Sequence, residues 1–333
     1  MTAQWDHKIF SLSASDFEQI ALDIFRYQYE KNSLYKTYVD ALNIKVAAVG
    51  SVEKIPFLPI RFFKSHEVKT GSFDPIAIFE SSGTTGSVNS RHFVKDISIY
   101  EKSFQKGFEL FYGNIKDYCV IGLLPSYLER KNSSLVHMVN SLVSKSGHPQ
   151  SGFYLDELDK LAAVLKQLEE QQQKTLLVGV SFALLDFAEK YPLPLKHTII
   201  METGGMKGRR EEMVKEELHA VLTKAFGVSS IHSEYGMTEL FSQAYSKGEG
   251  IFKCPPWMRI VIRDEDDPLA IHMAYHDSKL FVKGVINVID LANIHSCCFI
   301  ATDDAGKLYH DGSFEVLGRI DNSDIRGCSL LVV

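Results

Sequence analysis

Cysteine is scarce and scattered. Five cysteines, at positions 119, 254, 297, 298 and 328 of 333, form no CxxC pair and no disulfide-like spacing. A disulfide framework and a zinc ribbon are therefore excluded, and reduced thiols point to the cytoplasm. The 12 histidines show no HExxH and no clustered ligand spacing, which argues against a structural zinc site. No basic block is present either. The 36 Lys+Arg stand against 42 Asp+Glu, a net charge of −6, which argues against a nucleic-acid or anionic-membrane surface. The longest apolar run, around residues 176–185, is far short of the roughly 20 residues of a transmembrane helix. The start Met1-Thr2-Ala3-Gln4-Trp5-Asp6-His7 lacks the basic region and apolar run of a signal peptide. What is present is an ordinary globular composition, 45% hydrophobic and 23% charged, able to bury a sizeable core.

The first element is predicted as a helix. Ser15 and Glu18 have capping-box spacing, and Phe17, Ile20, Ala21, Ile24, Phe25 and Tyr27 form an apolar stripe. Pro56 and Pro59 should hold residues 55–63 extended, since proline fixes φ and its predecessor avoids the helical region. Short apolar strands running into glycine- or hydroxyl-rich loops follow, at residues 76–79, 120–124, 175–180 and 198–201. Helices are predicted at 155–171 and 211–225. That alternation implies α/β layers with parallel strands. From about residue 259 the strands 259–263, 284–291, 298–302 and 313–317 have no long helices between them, so a smaller β-rich subdomain is expected there. No repeat, linker or low-complexity segment marks a clean boundary.

The most informative segment is Ser81-Ser82-Gly83-Thr84-Thr85-Gly86-Ser87. A strand that runs into glycines and hydroxyls offers backbone N–H and O–H donors to an anion, although a solvated turn has the same composition. The Walker A pattern does not fit. Glu234-Tyr235-Gly236-Met237-Thr238-Glu239 follows a predicted strand, and Thr302-Asp303-Asp304 and Gly318-Arg319-Ile320-Asp321 come later in order.

Together these four segments resemble the signature set of the adenylate-forming superfamily of acyl-CoA synthetases, luciferase-like enzymes and peptide-synthetase adenylation domains. Pro56-Phe57-Leu58-Pro59-Ile60, Glu202-Thr203-Gly204-Gly205-Met206-Lys207-Gly208-Arg209 and the ending Ile325-Arg326-Gly327-Cys328-Ser329-Leu330 are similar to the LuxE-type acyl-protein synthetase family, over nearly the whole chain. Phenylacetate-CoA ligases are more distant relatives.

The resemblance implies an α/β adenylation core of layered parallel sheets plus a β-rich subdomain, spanning residues 1–320, with a tail at 321–333. It implies ATP-dependent activation of a carboxylic acid, most simply a fatty acid, to an acyl-adenylate, using ATP and Mg²⁺. Ser82, Gly83, Thr84, Thr85 and Gly86 would hold the phosphates, Thr238 would touch the α-phosphate, and Glu239 would bind Mg²⁺. Tyr235 and Gly236 would form the adenine side, with Gly204 and Gly205 allowing close approach to the base. Asp303 would take the ribose hydroxyls with Arg319 beside it; Asp304 is the choice if the T-G-D spacing is kept. Tyr127 and His137 would line the acyl pocket, His137 reading equally well as a core histidine.

Two features depart from the superfamily pattern. Val88-Asn89-Ser90-Arg91-His92 replaces the usual Pro-Lys pair after the phosphate loop, which leaves Arg91 as a source of positive charge. Only 12 residues follow Asp321, so the mobile C-terminal domain and its lysine are not expected. Cys328 lies seven residues beyond Asp321, within a reach of about 24 Å for an extended chain. In the LuxE-type family the corresponding cysteine is acylated and passes its acyl group to a partner such as an acyl reductase; a small buried hydrophobe is the plainer reading. The rival functions are an acyl-CoA or acyl-carrier-protein ligase and a non-catalytic nucleotide-binding subunit of a reductase complex.

Overall fold

The computed structural model describes residues 5, 8–13, 15–81, 88–124, 131–204, 213–273 and 280–320. Helix Phe17–Lys31 buries Phe17, Ala21, Ile24 and Phe25 on one face, as its periodicity predicts. Its start is not the expected capping box. Asp16 occupies the N-cap without bonding the helix, because its carboxylate is taken by the Ser13 hydroxyl. The same face buries Gln28, whose amide donates to the Asn293 and Ile294 carbonyls at 3.1 and 3.2 Å and accepts from the Cys298 N–H at 2.9 Å. A fully bonded amide is tolerated in a core, and this one fastens the helix to the far half of the chain.

The proline segment is extended only briefly. Strand β1 (Leu58–Pro59) is followed by helix Phe62–Ser65, so the extended run ends before the expected residue 63. Proline restrains only itself and its predecessor, and nothing after Pro59 opposes a helical turn. Strands β2 (Ala77–Glu80) and β3 (Arg91–Val94) pair antiparallel as a separate two-stranded sheet. The first predicted strand is therefore outside the parallel series: only ten residues separate it from its neighbour, fewer than the dozen or so that a parallel crossover needs.

The parallel series consists of β4 (Cys119–Leu123), β5 (Gly152–Phe153), β6 (Thr175–Val180), β7 (Thr198–Thr203) and β8 (His232–Tyr235), ordered β5-β4-β6-β7-β8. Helices Ser134–Ser146, Leu158–Glu170, Ser181–Lys190 and Lys215–Phe226 lie between its strands in the chain. β4 and β6 are buried at every position, as expected of strands covered on both faces. In helix Leu158–Glu170 the buried stripe is Leu161, Ala162, Leu165 and Leu168.

The antiparallel part begins earlier than expected, at β9 (Ala244–Ser246) and β10 (Ile251–Lys253). β11 (Met258–Arg263), β12 (Ile271–His272), β13 (Phe281–Asp290), β14 (Phe299–Tyr309) and β15 (Phe314–Arg319) follow. Hydrogen bonding continues from the parallel series through β8-β9-β10-β15-β14-β13-β11-β12, and β1 pairs in parallel with β14, giving one thirteen-stranded sheet. Cys297 and Cys298 are fully buried packing residues at the start of β14.

Candidate active site

The site gathers where β8, β14 and β15 meet. The β14–β15 register sets Asp304 opposite Arg319, whose Nε lies 3.3 Å from Asp304 Oδ1. The Tyr235 hydroxyl donates to Asp304 Oδ2 at 2.8 Å. Burial, and then the Asp304 charge, push the Tyr235 phenol far above its usual range, so it stays a donor. Asp304 N–H bonds to Thr302 Oγ1 at 3.1 Å, and the Thr302 hydroxyl donates to the Ile286 carbonyl at 2.7 Å. The Arg263 guanidinium braces this strand through the Thr302 carbonyl at 2.6 Å and Asn287 Oδ1 at 2.5 Å.

Asp303 does not share this arrangement. It pairs with Arg61 Nε at 3.3 Å on the other face of β14. Successive strand residues point to opposite faces, so only one of two adjacent aspartates can meet Tyr235. The carboxylate beside Tyr235 and Arg319 is Asp304, not the expected Asp303.

The turn after β8 carries Thr238 and Glu239, and it is held from three sides. The His92 ring stacks on Phe241 with centroids 4.4 Å apart, and its Nδ1 lies 3.0 Å from the Thr238 carbonyl. A carbonyl only accepts, so Nδ1 carries the proton. Burial pushes His92 down to about 4, which leaves the ring neutral. Asn293 Nδ2 donates to the Glu239 carbonyl at 2.8 Å, and its Oδ1 accepts from Phe241 N–H at 3.1 Å. Asp290 accepts from the Phe241 and Ser242 N–H groups, both at 2.8 Å, from the Ser242 hydroxyl at 2.6 Å and from Ala292 N–H at 3.1 Å. Burial pushes Asp290 up to about 6 against those four donors.

His92, Asp290 and Asn293 were not identified from sequence. The available signal was two polar residues, Asp290 and Asn293, inside an otherwise apolar stretch.

The Glu239 carboxyl is 6% exposed. Burial raises its pKa, while the Ser90 hydroxyl, Arg319 and Lys64 act in the opposite sense. No cluster of three or more His, Cys, Asp or Glu capable of holding a metal occurs among the described residues. A lone buried carboxylate of this kind fits Mg²⁺, which commonly takes one or two protein carboxylates and completes its shell with phosphates and water.

A Cβ at Gly236 would fall 2.3 Å from Glu234 Oε1, so a larger residue there would displace the Glu234 carboxyl. Gly204 has φ +68°, a left-handed conformation that favours glycine, and its carbonyl accepts from the Ser181 hydroxyl at 2.6 Å.

Two further acids stand at the ends of β7 and β8. Glu202 lies 3.3 Å from Lys215 Nζ and 3.6 Å from His219 Nε2. Glu234 accepts from the Thr203 hydroxyl at 2.5 Å. His137 is half-buried, 3.3 Å from Glu101 Oε1 and against the rings of Phe79 and Tyr100. The Arg91 guanidinium sits over Phe93 at 5.4 Å. The expected site residues Ser82, Gly83, Thr84, Thr85, Gly86, Tyr127, Gly205 and Cys328 lie outside the described residues.

Solved structures share this arrangement of strands. ATP-bound MatB from Rhodopseudomonas palustris matches with a TM-score of 0.54 at 16% identity, over 75% of this chain and 49% of that one. Apo MatB from the same organism matches at 0.52 and 15%, over 73% and 47%. The chain thus spans about half the length of these proteins, and the likeness is one of fold alone. A comparison with curated proteins gives no match. The family described as acyl-protein synthetase, LuxE, matches residues 10–333, and the chain belongs to that family. Among the described residues no helix is long and apolar enough to cross a membrane.

Proposed function

We propose that this protein activates a carboxylic acid with ATP and then carries the acyl group on Cys328. The observation that supports the reading best is the convergence of Tyr235 and Arg319 on Asp304, with the Arg319 charge also acting on the buried Glu239 carboxyl, in a chain of the LuxE family. Asp304 accepts from the ribose hydroxyls, the role the resemblance assigned to its neighbour, while Arg319 and Tyr235 fix its orientation. Glu239 holds Mg²⁺, which when bound neutralises phosphate charge. Thr238 donates its hydroxyl to the α-phosphate, on a backbone locked by His92, Asp290 and Asn293.

The electron bookkeeping is simple. A carboxylate oxygen of the acid bonds to the α-phosphorus, and the bond from that phosphorus to the bridging oxygen breaks, releasing pyrophosphate. The Cys328 thiolate then attacks the acyl carbon and AMP leaves with the bonding pair, giving a thioester. An acyl reductase or carrier protein is the final acceptor, and a fatty acid is the substrate class.

Intact-protein mass after incubation with ATP, Mg²⁺ and a panel of carboxylic acids tests both halves, with Cys328→Ser alongside. A hydroxylamine-sensitive adduct on the wild type alone is the expected result, and its mass names the acid. An adduct that persists in Cys328→Ser overturns the loading step. Rapid turnover with added CoA and no adduct replaces it with a CoA-ligase function.

A further inference from the structure

Residues 56–65 approach the site from outside the signature motifs. Leu58 and Pro59 run parallel to Ile300 and Ala301 of β14, and the Ile60 N–H donates to the Ala301 carbonyl at 2.9 Å. That pairing stops one residue short of Thr302-Asp303-Asp304, so the next residues emerge at the site's edge. Arg61 meets Asp303 there at 3.3 Å.

Helix Phe62–Ser65 then anchors through Phe63, which is fully buried with its ring 5.8 Å from the His92 ring. His92 in turn holds the Thr238 carbonyl. The backbone of Phe62–Ser65, and with it Lys64, is thereby tied to the segments that carry Thr238 and Asp304.

Lys64 is exposed, and no carboxylate among the described residues lies within ion-pair distance of it. Its charge nevertheless acts on the buried Glu239 carboxyl, in the same sense as that of Arg319. A cation fixed at its base by a buried aromatic, without an ion-pair partner among the described residues, and within electrostatic reach of an acid suited to Mg²⁺ is placed to receive an anion. Lysine is a compact charge with three rotatable donors, which suits it to phosphate oxygens.

We propose that Lys64 is a phosphate-binding residue of this site, its ammonium taking an oxygen of the nucleoside triphosphate whose metal Glu239 holds. The inference rests on the nucleotide-binding part of the reading above. A triphosphate with one bound Mg²⁺ keeps excess negative charge, and a carboxylate substrate adds more. Arg319 is engaged with Asp304 and Arg61 with Asp303, whereas Lys64 pairs with no carboxylate among the described residues.

The test is calorimetric titration of the full chain with MgATP and, separately, with adenosine, which lacks phosphate. Lys64→Met, Lys64→Arg and, as a control on the same segment, Lys54→Met are compared with the wild type. Lys64→Met should weaken MgATP binding by about tenfold or more while leaving adenosine binding within about twofold, and Lys64→Arg should recover most of the loss. The Lys54→Met control should bind both like the wild type.

MgATP binding by Lys64→Met within about twofold of the wild type overturns the proposal, as does an equal loss for adenosine, which marks a structural defect. Acid-dependent pyrophosphate exchange by the wild type separates the two claims. If Lys64→Met selectively loses MgATP but none of the acids supports pyrophosphate exchange by the wild type, Lys64 stands and acid activation falls. A wild type that binds no MgATP overturns both.

Discussion

The two faces of the sheet at the ends of β7 and β8 treat an acid in opposite ways. On the face under helix Lys215–Phe226, Glu202 sits among Lys215, His219 and Ser233. Burial pushes its pKa up, but those neighbours together outweigh burial and hold the carboxyl below its usual range. On the other face Glu234 pairs in register with Thr203 on one side and Tyr245 on the other, and it accepts from the Thr203 hydroxyl. Burial pushes it up to about 7, and the nearby Glu202 charge adds to the rise. Asp290, with four donors and no cation paired with it among the described residues, falls between them at about 6. Charge state at this site therefore follows the number and charge of the donors each acid meets, and burial alone does not decide it.

Removing the cation should have the largest effect on that contrast. Lys215→Met keeps an apolar side chain near the Phe252 ring, over which the ammonium sits at 4.5 Å, and strips the nearer cation from Glu202. Loss of one partner of a buried pair costs about 3–5 kcal/mol, and partial exposure of Lys215 with His219 still present brings the expected loss to about 2 kcal/mol at pH 7. Because the folded pKa of Glu202 lies below its unfolded value, its stabilisation is present above the usual carboxylate range and disappears as pH falls. The gap between variant and wild type in urea unfolding should therefore close below about pH 4. A gap of the same size at pH 7 and pH 3.5 would mean that Lys215 stabilises by packing alone.

Glu234→Gln should act with the opposite sign. A folded pKa above the unfolded one means that folding takes up a proton between roughly pH 4.3 and pH 7. The wild type accordingly loses stability across that window, and the loss is complete above it. Glutamine cannot ionise, so the variant should gain about 1–2 kcal/mol on the wild type in going from pH 4 to pH 8, the full shift being reduced by the side chain's partial exposure. Parallel urea-unfolding curves for the two proteins across pH 4–8 would show that Glu234 is charged throughout.

This contrast marks the limit of what sequence could disclose. Strand positions were legible because runs such as 175–180 and 259–263 keep their strand pattern here, the latter beginning one residue earlier at Met258. Motif spacing alone marked Tyr235, Glu239 and Arg319 as candidates, and the structure brings Tyr235 and Arg319 together on Asp304. The choice between Asp303 and Asp304 was not legible, since it depends on the β14–β15 register that puts Arg319 opposite Asp304. His92, Asp290 and Asn293 act on backbone groups roughly 50 to 150 residues away, which no local pattern encodes. Nor does the motif distinguish Glu202 from Glu234, whose opposite states follow from which helix covers each face.

The smallest perturbation isolates that last point most directly. Thr203→Val conserves shape and deletes one donor, the hydroxyl 2.5 Å from Glu234 Oε2. That hydrogen bond favours the charged carboxylate, so its removal should raise the Glu234 pKa further and cost the folded state more when the acid is ionised than when it is protonated. The expected loss is about 1 kcal/mol at pH 8, shrinking to a few tenths near pH 5. Thr203→Ser should restore the wild-type profile by returning the donor. In the Glu234→Gln background the cost of Thr203→Val should lose its pH dependence, because no ionisation remains for the hydroxyl to stabilise. If the cost depends on pH even there, a different acid on that face is the hydroxyl's partner, and the assignment of the raised pKa to Glu234 falls.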